Sequence, residues 1–304
     1  MKSLPPSDPL SALIPVLVCA FAIFLLSAMD AAMKGLVLAI GVYNTILWRS
    51  MLATVVVGGL WSRTARTLPS ASVLKLHILR TVVIGIVVIS FFWGLARLPL
   101  AEAIALSFVA PLIALFLAAL MLGERIRRQA IWGSLAGTLG VVIIMAGQFG
   151  RTAYTEAAVA GTAAVLFSTV FYAYNLVLMR RQALLARPLE VSFFQNLTLS
   201  ILLGFAAPWL AVALPPDLWL PIAGVTALSI SGQLMMSWSY GRAEAQYLIP
   251  VEYSAFVWAI ALGWFFFGEV VSWPTIAGAG LIIAGCLVAA RANPKFAKPT
   301  EPTV

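Results

Sequence analysis

Residues 123–140 read GERIRRQAIWGSLAGTLG, and residues 268–285 read GEVVSWPTIAGAGLIIAG. Both stretches begin with Gly-Glu and place glycines ten and seventeen positions later, and the second lies 145 residues after the first. The same offset relates further pairs: Ala28 and Ala173, Asp30 and Asn175, Leu52 and Leu197, Trp93 and Trp238, and Arg97 and Arg242. Tryptophan, arginine and a Gly-Glu pair that recur at one ungapped offset indicate a duplicated unit.

The composition places this duplication in a membrane. The chain is 62% hydrophobic and only 10% charged, with a mean hydropathy of +1.01, whereas soluble domains carry about 25% charged residues. Backbone polar groups must be satisfied internally in lipid, so apolar runs of about 20 residues predict helices. We expect an all-α polytopic membrane protein with ten transmembrane helices, at 11–33, 38–60, 74–95, 100–122, 130–149, 157–179, 191–214, 218–240, 246–267 and 273–290.

The basic residues predict the orientation of these helices. If the N-terminus is cytoplasmic, fifteen of the 19 Lys and Arg residues fall in cytoplasmic segments. The external segments then hold Lys34, Arg97 and Arg151, and Arg49 lies inside a span. This bias follows the positive-inside rule and predicts that both termini are cytoplasmic. It also explains the net charge of +8, so we expect membrane lipid as a partner and no nucleic acid.

The duplication predicts how the chain is organised. A first repeat at 11–150 and a second at 156–291 are flanked by cytoplasmic tails at 1–10 and 292–304. Because each repeat holds five predicted helices, an odd number, the second repeat must enter the membrane from the opposite side. Inverted repeats of this kind surround a central cavity in many secondary transporters and serve alternating access.

Polar residues recur at helical spacing inside several predicted spans. The eighth span carries a stripe of Thr226, Ser229, Gln233, Ser237 and Tyr240, and polar or aromatic residues also mark the first, third, sixth and ninth spans. Such residues face a cavity or another helix, and hydrogen bonds between helices are the alternative for any one of them. Trp93 and Trp238 also suit an interfacial belt. The candidate substrate-cavity residues are Asp30, Ser90, Trp93, Tyr172, Asn175, Gln233, Ser237, Trp238, Tyr240, Glu252 and Tyr253.

The charged candidates carry individual expectations. Asp30 either pairs with Lys34 four residues later or binds a substrate amine or a proton. Glu252 follows Pro250, which should loosen the helical ladder and expose carbonyl groups, so a functional role is favoured. We expect Arg49 to be structural, either reaching the membrane surface or meeting Asp30. His77, the single histidine, is expected to be solvated at the interface.

The glycines of the fifth and tenth spans predict close helix packing. Gly133 and Gly137 form a Gly-x-x-x-Gly pattern that lets helices approach closely, and Gly278 and Gly285 recur in the tenth span. Packing within one chain is the favoured interpretation, and a homodimer contact is the alternative.

The sequence lacks the catalytic motifs of several enzyme classes. The chain has no H-E-x-x-H, no G-x-x-x-x-G-K-[ST] and no intramembrane histidine to serve a G-x-S-x-G serine. Its two cysteines, Cys19 and Cys286, lie in apolar runs and predict neither a disulfide framework nor a metal site. We therefore expect no enzymatic activity, no cofactor and no metal.

Two five-helix halves, each with Gly-Glu after its fourth helix and spaced glycines in its fifth, resemble the EamA family of the drug/metabolite transporter superfamily. The resemblance covers residues 11–290, and within the family the chain most resembles the YddG-type amino-acid and metabolite exporters. It implies a basket-shaped cavity between the halves, lined mainly by helices 1, 3, 4, 6, 8 and 9.

The expected function follows from the repeat and the resemblance. We expect a multi-pass secondary transporter of the bacterial inner membrane that exports amino acids, aromatic or other neutral ones favoured, or similar small metabolites by alternating access. Another small-molecule substrate, such as a sugar, a nucleotide precursor or a cationic drug, is the first alternative. A membrane adaptor without transport activity is the alternative of another class.

Overall fold

The computed structural model describes residues 9–64, 68–98, 100–107, 109–122, 128–148, 156–268 and 273–290. The described residues form helices and connecting turns without a strand, which confirms the predicted all-helical class. The α-helices are α1 Pro9–Thr64, α2 Ala71–Leu95, α3 Leu100–Ser107, α4 Val109–Leu122, α5 Arg128–Gln148, α6 Glu156–Ala183, α7 Pro188–Gly204, α8 Ala207–Leu210, α9 Trp219–Tyr240, α10 Ala245–Leu248, α11 Ser254–Phe267 and α12 Trp273–Ala290. Short 3₁₀ turns lie at Pro216–Leu218 and Ile249–Tyr253.

Several of these helices suit a bilayer. Among the described residues, four are long and apolar enough to cross a membrane, at Leu13–Arg63, Ala71–Leu95, Val159–Ala183 and Pro216–Tyr240. Shorter apolar helices lie at Pro250–Phe266 and Ile276–Gly285. Large apolar side chains such as Val55, Leu220 and Phe265 lie exposed on the outside, which in a membrane faces lipid tails. The predicted total of ten spans stays a prediction.

Gly41 divides the long helix α1 into two arms, 9–40 and 42–64. Its backbone angles, φ 78° and ψ 162°, are not helical and fall in a region that is essentially open to glycine alone. On the first arm, Leu26 lies near Gly232 of α9 and Cys19 lies near Met236. On the second arm, contacts with α9 run the other way.

On the second arm of α1, Trp48 packs against Trp219 and Arg49 donates to Ser229, while Val57 joins a cluster with Ile230 and Leu234. Along the first arm, the contacted residues of α9 have decreasing numbers as the chain advances. Along the second arm, they have increasing numbers. The two arms therefore run in opposite directions. Two helical arms thus lie where the first two spans are predicted, but the chain breaks at Gly41 rather than in the predicted connection at 34–37, which is helical.

Two other predicted spans are interrupted. The span predicted at 191–214 ends as a helix at Gly204, and after α8 the residues 211–215 are not helical. The span predicted at 246–267 is broken at Pro250 into α10, a 3₁₀ turn and α11, because proline lacks the N–H that would continue the α-helical ladder. This break confirms the expected loosening and places Glu252 on the 3₁₀ turn.

Corresponding helices of the two halves make corresponding contacts. At the 145-residue offset α2 corresponds to α9, α4 to α11, α5 to α12, and α6 to the first arm of α1. Helix α2 packs on α6, and α9 packs on α1. Likewise α4 packs on α6, and α11 packs on α1. The duplication seen in the sequence is thus repeated in the packing.

Glycines allow α5 and α12, which correspond to each other in the two halves, to pack closely together. A Cβ atom added at Gly140 would lie 2.6 Å from the carbonyl oxygen of Gly278, and one added at Gly285 would lie 2.6 Å from that of Gly133. These contacts are each other's equivalents, and the two helices run antiparallel through them. The glycines therefore pack within one chain, as favoured from the sequence. The Gly-Glu pair at 123–124, like Glu269, lies outside the described residues.

Candidate substrate cavity

A cavity of about 240 Å³ lies between the helices of the two halves. Its walls come from α1, α2, α3, α6, α7 and α9, together with Glu252 and Ala255. Most of the lining is apolar, including Leu26, Val87, Phe91, Phe92, Ile104 and Leu199. Four charged side chains also line it: Asp30, Arg49, Arg80 and Glu252. The volume suits an organic solute rather than a single water molecule.

Arg49 is held in the wall by a chain of polar groups from two other helices, α9 and α7. Its Nη1 donates to Ser229 Oγ at 2.5 Å, and Gln233 Nε2 donates to the same oxygen at 3.0 Å. Gln195 Nε2 in turn donates to Gln233 Oε1 at 3.2 Å. Arg49 is only 4% exposed, and its Nε has no hydrogen-bond partner in the described part of the chain. The polar stripe of the eighth predicted span, which lies on α9, thus orients one edge of the buried Arg49 guanidinium.

Glu252 is held by two tyrosine hydroxyl groups. Tyr172 donates to Oε2 at 2.7 Å and Tyr240 donates to Oε1 at 3.3 Å. The carboxylate comes from the 3₁₀ turn that Pro250 creates, and Glu252 is 7% exposed. Both carboxylate oxygens therefore have a donor before any solute arrives.

A second polar chain leads from the cavity towards the start of α7. Arg80 Nε donates to Asn175 Oδ1 at 3.1 Å, and its Nη1 donates to Gln182 Oε1 at 2.7 Å. Gln182 donates to Nδ1 of His77, whose Nε2 lies 3.1 Å from Glu190 Oε1. The expectation of a solvated His77 is wrong, since its side chain is fully buried and its ring stacks on Phe194.

Asp30 lies in the cavity wall without the neighbour expected from the sequence. Lys34 Nζ donates to the carbonyl oxygen of Leu98 at 2.9 Å. Within the described part of the chain, no ion pair joins Asp30 to Lys34 or to Arg49, and the Asp30 carboxylate accepts no hydrogen bond. The local ion pair is therefore not formed.

The predicted site residues separate into two groups. Six of them line the cavity: Asp30, Tyr172, Asn175, Gln233, Ser237 and Glu252. The others lie elsewhere. Tyr240 reaches the cavity only through Glu252, Tyr253 lies 3.1 Å from Thr138 through its hydroxyl, and Ser90 donates to the carbonyl of Ile86.

Trp93 and Trp238 have a different surrounding. The guanidinium of Arg97 lies 3.4 Å from the ring centroid of Trp93, and that of Arg242 lies 4.1 Å from the ring centroid of Trp238. These are cation–π contacts one helical turn apart, at positions that correspond in the two repeats. The structure places both tryptophans outside the cavity lining, in keeping with the interfacial alternative.

Sequence reasoning missed several lining residues. The charge count includes Arg80 among the fifteen cytoplasmic residues and treats Arg49 as structural, although a charged residue next to or inside an apolar span is a signal for a cavity. Ser192 and Gln195 are polar residues three positions apart in the seventh span, and their spacing could have marked a helical face. Phe91 and Phe92 carried no signal, because aromatic residues are common throughout this chain.

The cavity lies between two halves that each match one family model. The model of the EamA-like transporter family matches residues 12–146 and again residues 159–291. This chain belongs to the EamA-like transporter family. The family assignment confirms the resemblance read from the Gly-Glu turns and spaced glycines.

Relatives of this EamA-family chain are transporters. It is 28% identical over 278 residues to the pseudopaline exporter of Pseudomonas aeruginosa, covering 91% of this chain and 95% of that protein. It is 25% identical over 255 residues to the riboflavin transporter of Brucella anthropi, covering 80% and 86%. A solved structure shares the fold with a TM-score of 0.70 at 21% identity, over 92% of this chain and 96% of that one. The chain is therefore an integral membrane protein that transports small molecules.

Proposed function

We propose that this EamA-family protein is a secondary transporter that exports amino acids, aromatic or other neutral ones favoured, or similar small metabolites by alternating access. The observation that carries this proposal is a cavity that combines charges of both signs with uncharged polar groups and a large apolar surface. An amino acid carries one ammonium, one carboxylate and a side chain. Phe91, Phe92 and Leu199 suit an apolar or aromatic side chain.

The exchange of helix contacts between the halves supports the transport mechanism. Equivalent helices α5 and α12 run antiparallel through their glycines, as expected for repeats related by a two-fold axis in the membrane plane. In the proposed cycle, rocking of one repeat against the other opens the cavity to each side in turn. The proposed repeats, 11–150 and 156–291, then have opposite orientations in a bacterial inner membrane, with both termini cytoplasmic.

A transport assay tests this proposal directly. The full-length protein is reconstituted in proteoliposomes, and counterflow of labelled L-phenylalanine, L-leucine and L-glutamate is compared with that of riboflavin and glucose, with and without a pH gradient. We expect counterflow of the neutral amino acids above that of the other solutes. Counterflow of riboflavin or glucose alone would establish a different substrate, and no counterflow of any solute would favour the adaptor alternative.

A further inference from the structure

Arg49 presents a donor edge that the protein itself leaves unused. A guanidinium offers a parallel pair of N–H groups on its Nε–Nη2 edge, which matches the two oxygens of a carboxylate. Ser229 occupies Nη1 on the other side, and among the described residues neither Nε nor Nη2 has an acceptor. Burying a charged donor without a partner is costly. An anionic group of a solute in the cavity would satisfy this edge.

Asp30 is the complementary group on the other arm of α1. It lines the same cavity, and no described residue donates a hydrogen bond to it. Glu252 differs, because two tyrosine hydroxyls already donate to its oxygens. Arg80 differs from Arg49 in the same way, since the side-chain amides of Asn175 and Gln182 already accept from it. Among the described residues, the groups of opposite charge with unused hydrogen-bonding capacity are therefore Arg49 and Asp30, which attract each other electrostatically but form no salt bridge.

We propose that Arg49 and Asp30 form a zwitterion subsite, in which the Nε–Nη2 edge of Arg49 binds the substrate carboxylate and Asp30 binds its ammonium group. Ser192 and Ser237 also line the cavity, and their buried hydroxyl groups have no hydrogen-bond partner among the described residues, so they supply further polar contacts. Ser229 and Gln233 act as positioning residues, because Ser229 accepts from Nη1 and Gln233 donates to the same Ser229 oxygen. This inference rests on the proposed function and assigns the charged groups that recognise its substrate.

Binding of three ligands that share a phenyl ring tests the subsite. Calorimetry on the purified full-length protein compares L-phenylalanine with phenylalaninamide, which lacks the carboxylate, and with 3-phenylpropionate, which lacks the ammonium. We expect L-phenylalanine to bind tightest. In Arg49→Gln, binding of L-phenylalanine and 3-phenylpropionate should fall about 10-fold to 100-fold, the loss of a charged hydrogen-bonded contact, while phenylalaninamide is little changed. Asp30→Asn should weaken the binding of L-phenylalanine and phenylalaninamide, which carry an ammonium group, and leave the binding of 3-phenylpropionate unchanged.

Control variants separate recognition from folding. Arg181 is an exposed arginine of α6, so Arg181→Gln should bind all three ligands like the parent. Arg49→Lys keeps the charge but loses the paired donors, so it should weaken the two carboxylates only, by about 10-fold. This variant carries the test if Arg49→Gln does not elute as a folded protein in gel filtration.

The outcomes distinguish this inference from the proposed function. Equal weakening of L-phenylalanine and phenylalaninamide in Arg49→Gln or Arg49→Lys would overturn the subsite, because the arginine would then act on the cavity as a whole. Parent protein that binds 3-phenylpropionate through Arg49 but not L-phenylalanine would support the carboxylate contact and reject Asp30 and amino-acid transport. Parent protein that binds none of the three would overturn both.

Discussion

Glu252 and Asp30 are two carboxylates in one cavity with different partners. Both oxygens of Glu252 accept tyrosine hydroxyls, whereas Asp30 accepts no hydrogen bond from the described residues. Ionisable residues inside membrane spans mark ion pathways and substrate sites. From this difference we expect Asp30 to bind the substrate ammonium and Glu252 to carry a coupling proton.

Glu252→Gln should separate coupling from binding. Glutamine keeps the size of the side chain and one oxygen for a tyrosine hydroxyl, but it cannot exchange a proton. We expect solute counterflow in proteoliposomes to continue while accumulation driven by a pH gradient disappears. Asp30→Asn is the matched comparison and should weaken counterflow itself. If Glu252→Gln still accumulates solute as the parent does, the transporter does not use this carboxylate for coupling.

Gln233 supports the Ser229 hydroxyl that accepts from Arg49 and ties it to Gln195. Gln233→Leu removes the donor to Ser229 and leaves the amide of Gln195 without its acceptor, at a cost of about 1–3 kcal/mol for a buried polar group. We expect slower amino-acid counterflow with normal amounts of protein in the membrane. Thr226→Val is the control from the same stripe, because among the described residues Thr226 donates only to the carbonyl oxygen of Ile222 in its own helix. Parent-like counterflow for Gln233→Leu combined with Ser237→Leu would assign these residues to helix packing.

Gly41 determines the shape of α1 at the scale of the element. Its backbone conformation is unfavourable for any residue with a Cβ atom, although a Cβ there would meet no atom within 4 Å. We expect Gly41→Ala to destabilise the protein by about 1–3 kcal/mol through backbone strain alone. Thermal unfolding in detergent measures this loss.

Gly35 provides the control on the same helix. It has ordinary helical geometry, and a Cβ there would also meet nothing within 4 Å. Gly35→Ala should therefore be neutral or stabilising by up to about 1 kcal/mol, since alanine favours a helix more than glycine does. Equal unfolding temperatures for the two variants would show that the turn at Gly41 tolerates a side chain.

The pairing of α5 with α12 depends on close backbone approach. A Cβ at Gly285 would lie 2.6 Å from the Gly133 carbonyl oxygen, so the helices must move apart in Gly285→Ala. We expect a loss of about 1–3 kcal/mol from overpacking, seen as a lower unfolding temperature. In Gly280→Ala, on the same helix, the new methyl group meets nothing within 4 Å and should cost nothing. A loss of the same size in both variants would argue against this contact.

Single cysteines test the orientation of the two repeats at the scale of the whole molecule. Glu124→Cys and Glu269→Cys occupy corresponding positions in the two halves, both outside the described residues. In a background with Cys19 and Cys286 replaced by alanine, a membrane-impermeant maleimide applied to intact cells should label position 269 and not position 124. Labelling of both from outside would contradict the inverted repeat.

Much of the architecture follows from the chain itself. Hydropathy predicts an all-helical membrane protein, and the 145-residue offset predicts a duplicated unit. Both can be recognised without knowing which segments pack together. Hydropathy and the offset could not determine that α1 would turn back at Gly41 or that the helix predicted at 191–214 would end at Gly204. Such breaks depend on single backbone conformations and on neighbouring helices, which hydropathy averages over a window.

The cavity was only partly predictable for a related reason. Helical periodicity identified the stripe containing Gln233 and Ser237, and a charged residue near a proline identified Glu252. Only the tertiary structure decided that Arg49 and Arg80 face the cavity and that His77 is buried against Gln182 and Glu190. A sequence shows which residues share a helix face. Which faces meet, and which buried charges find partners, is determined by packing between distant segments.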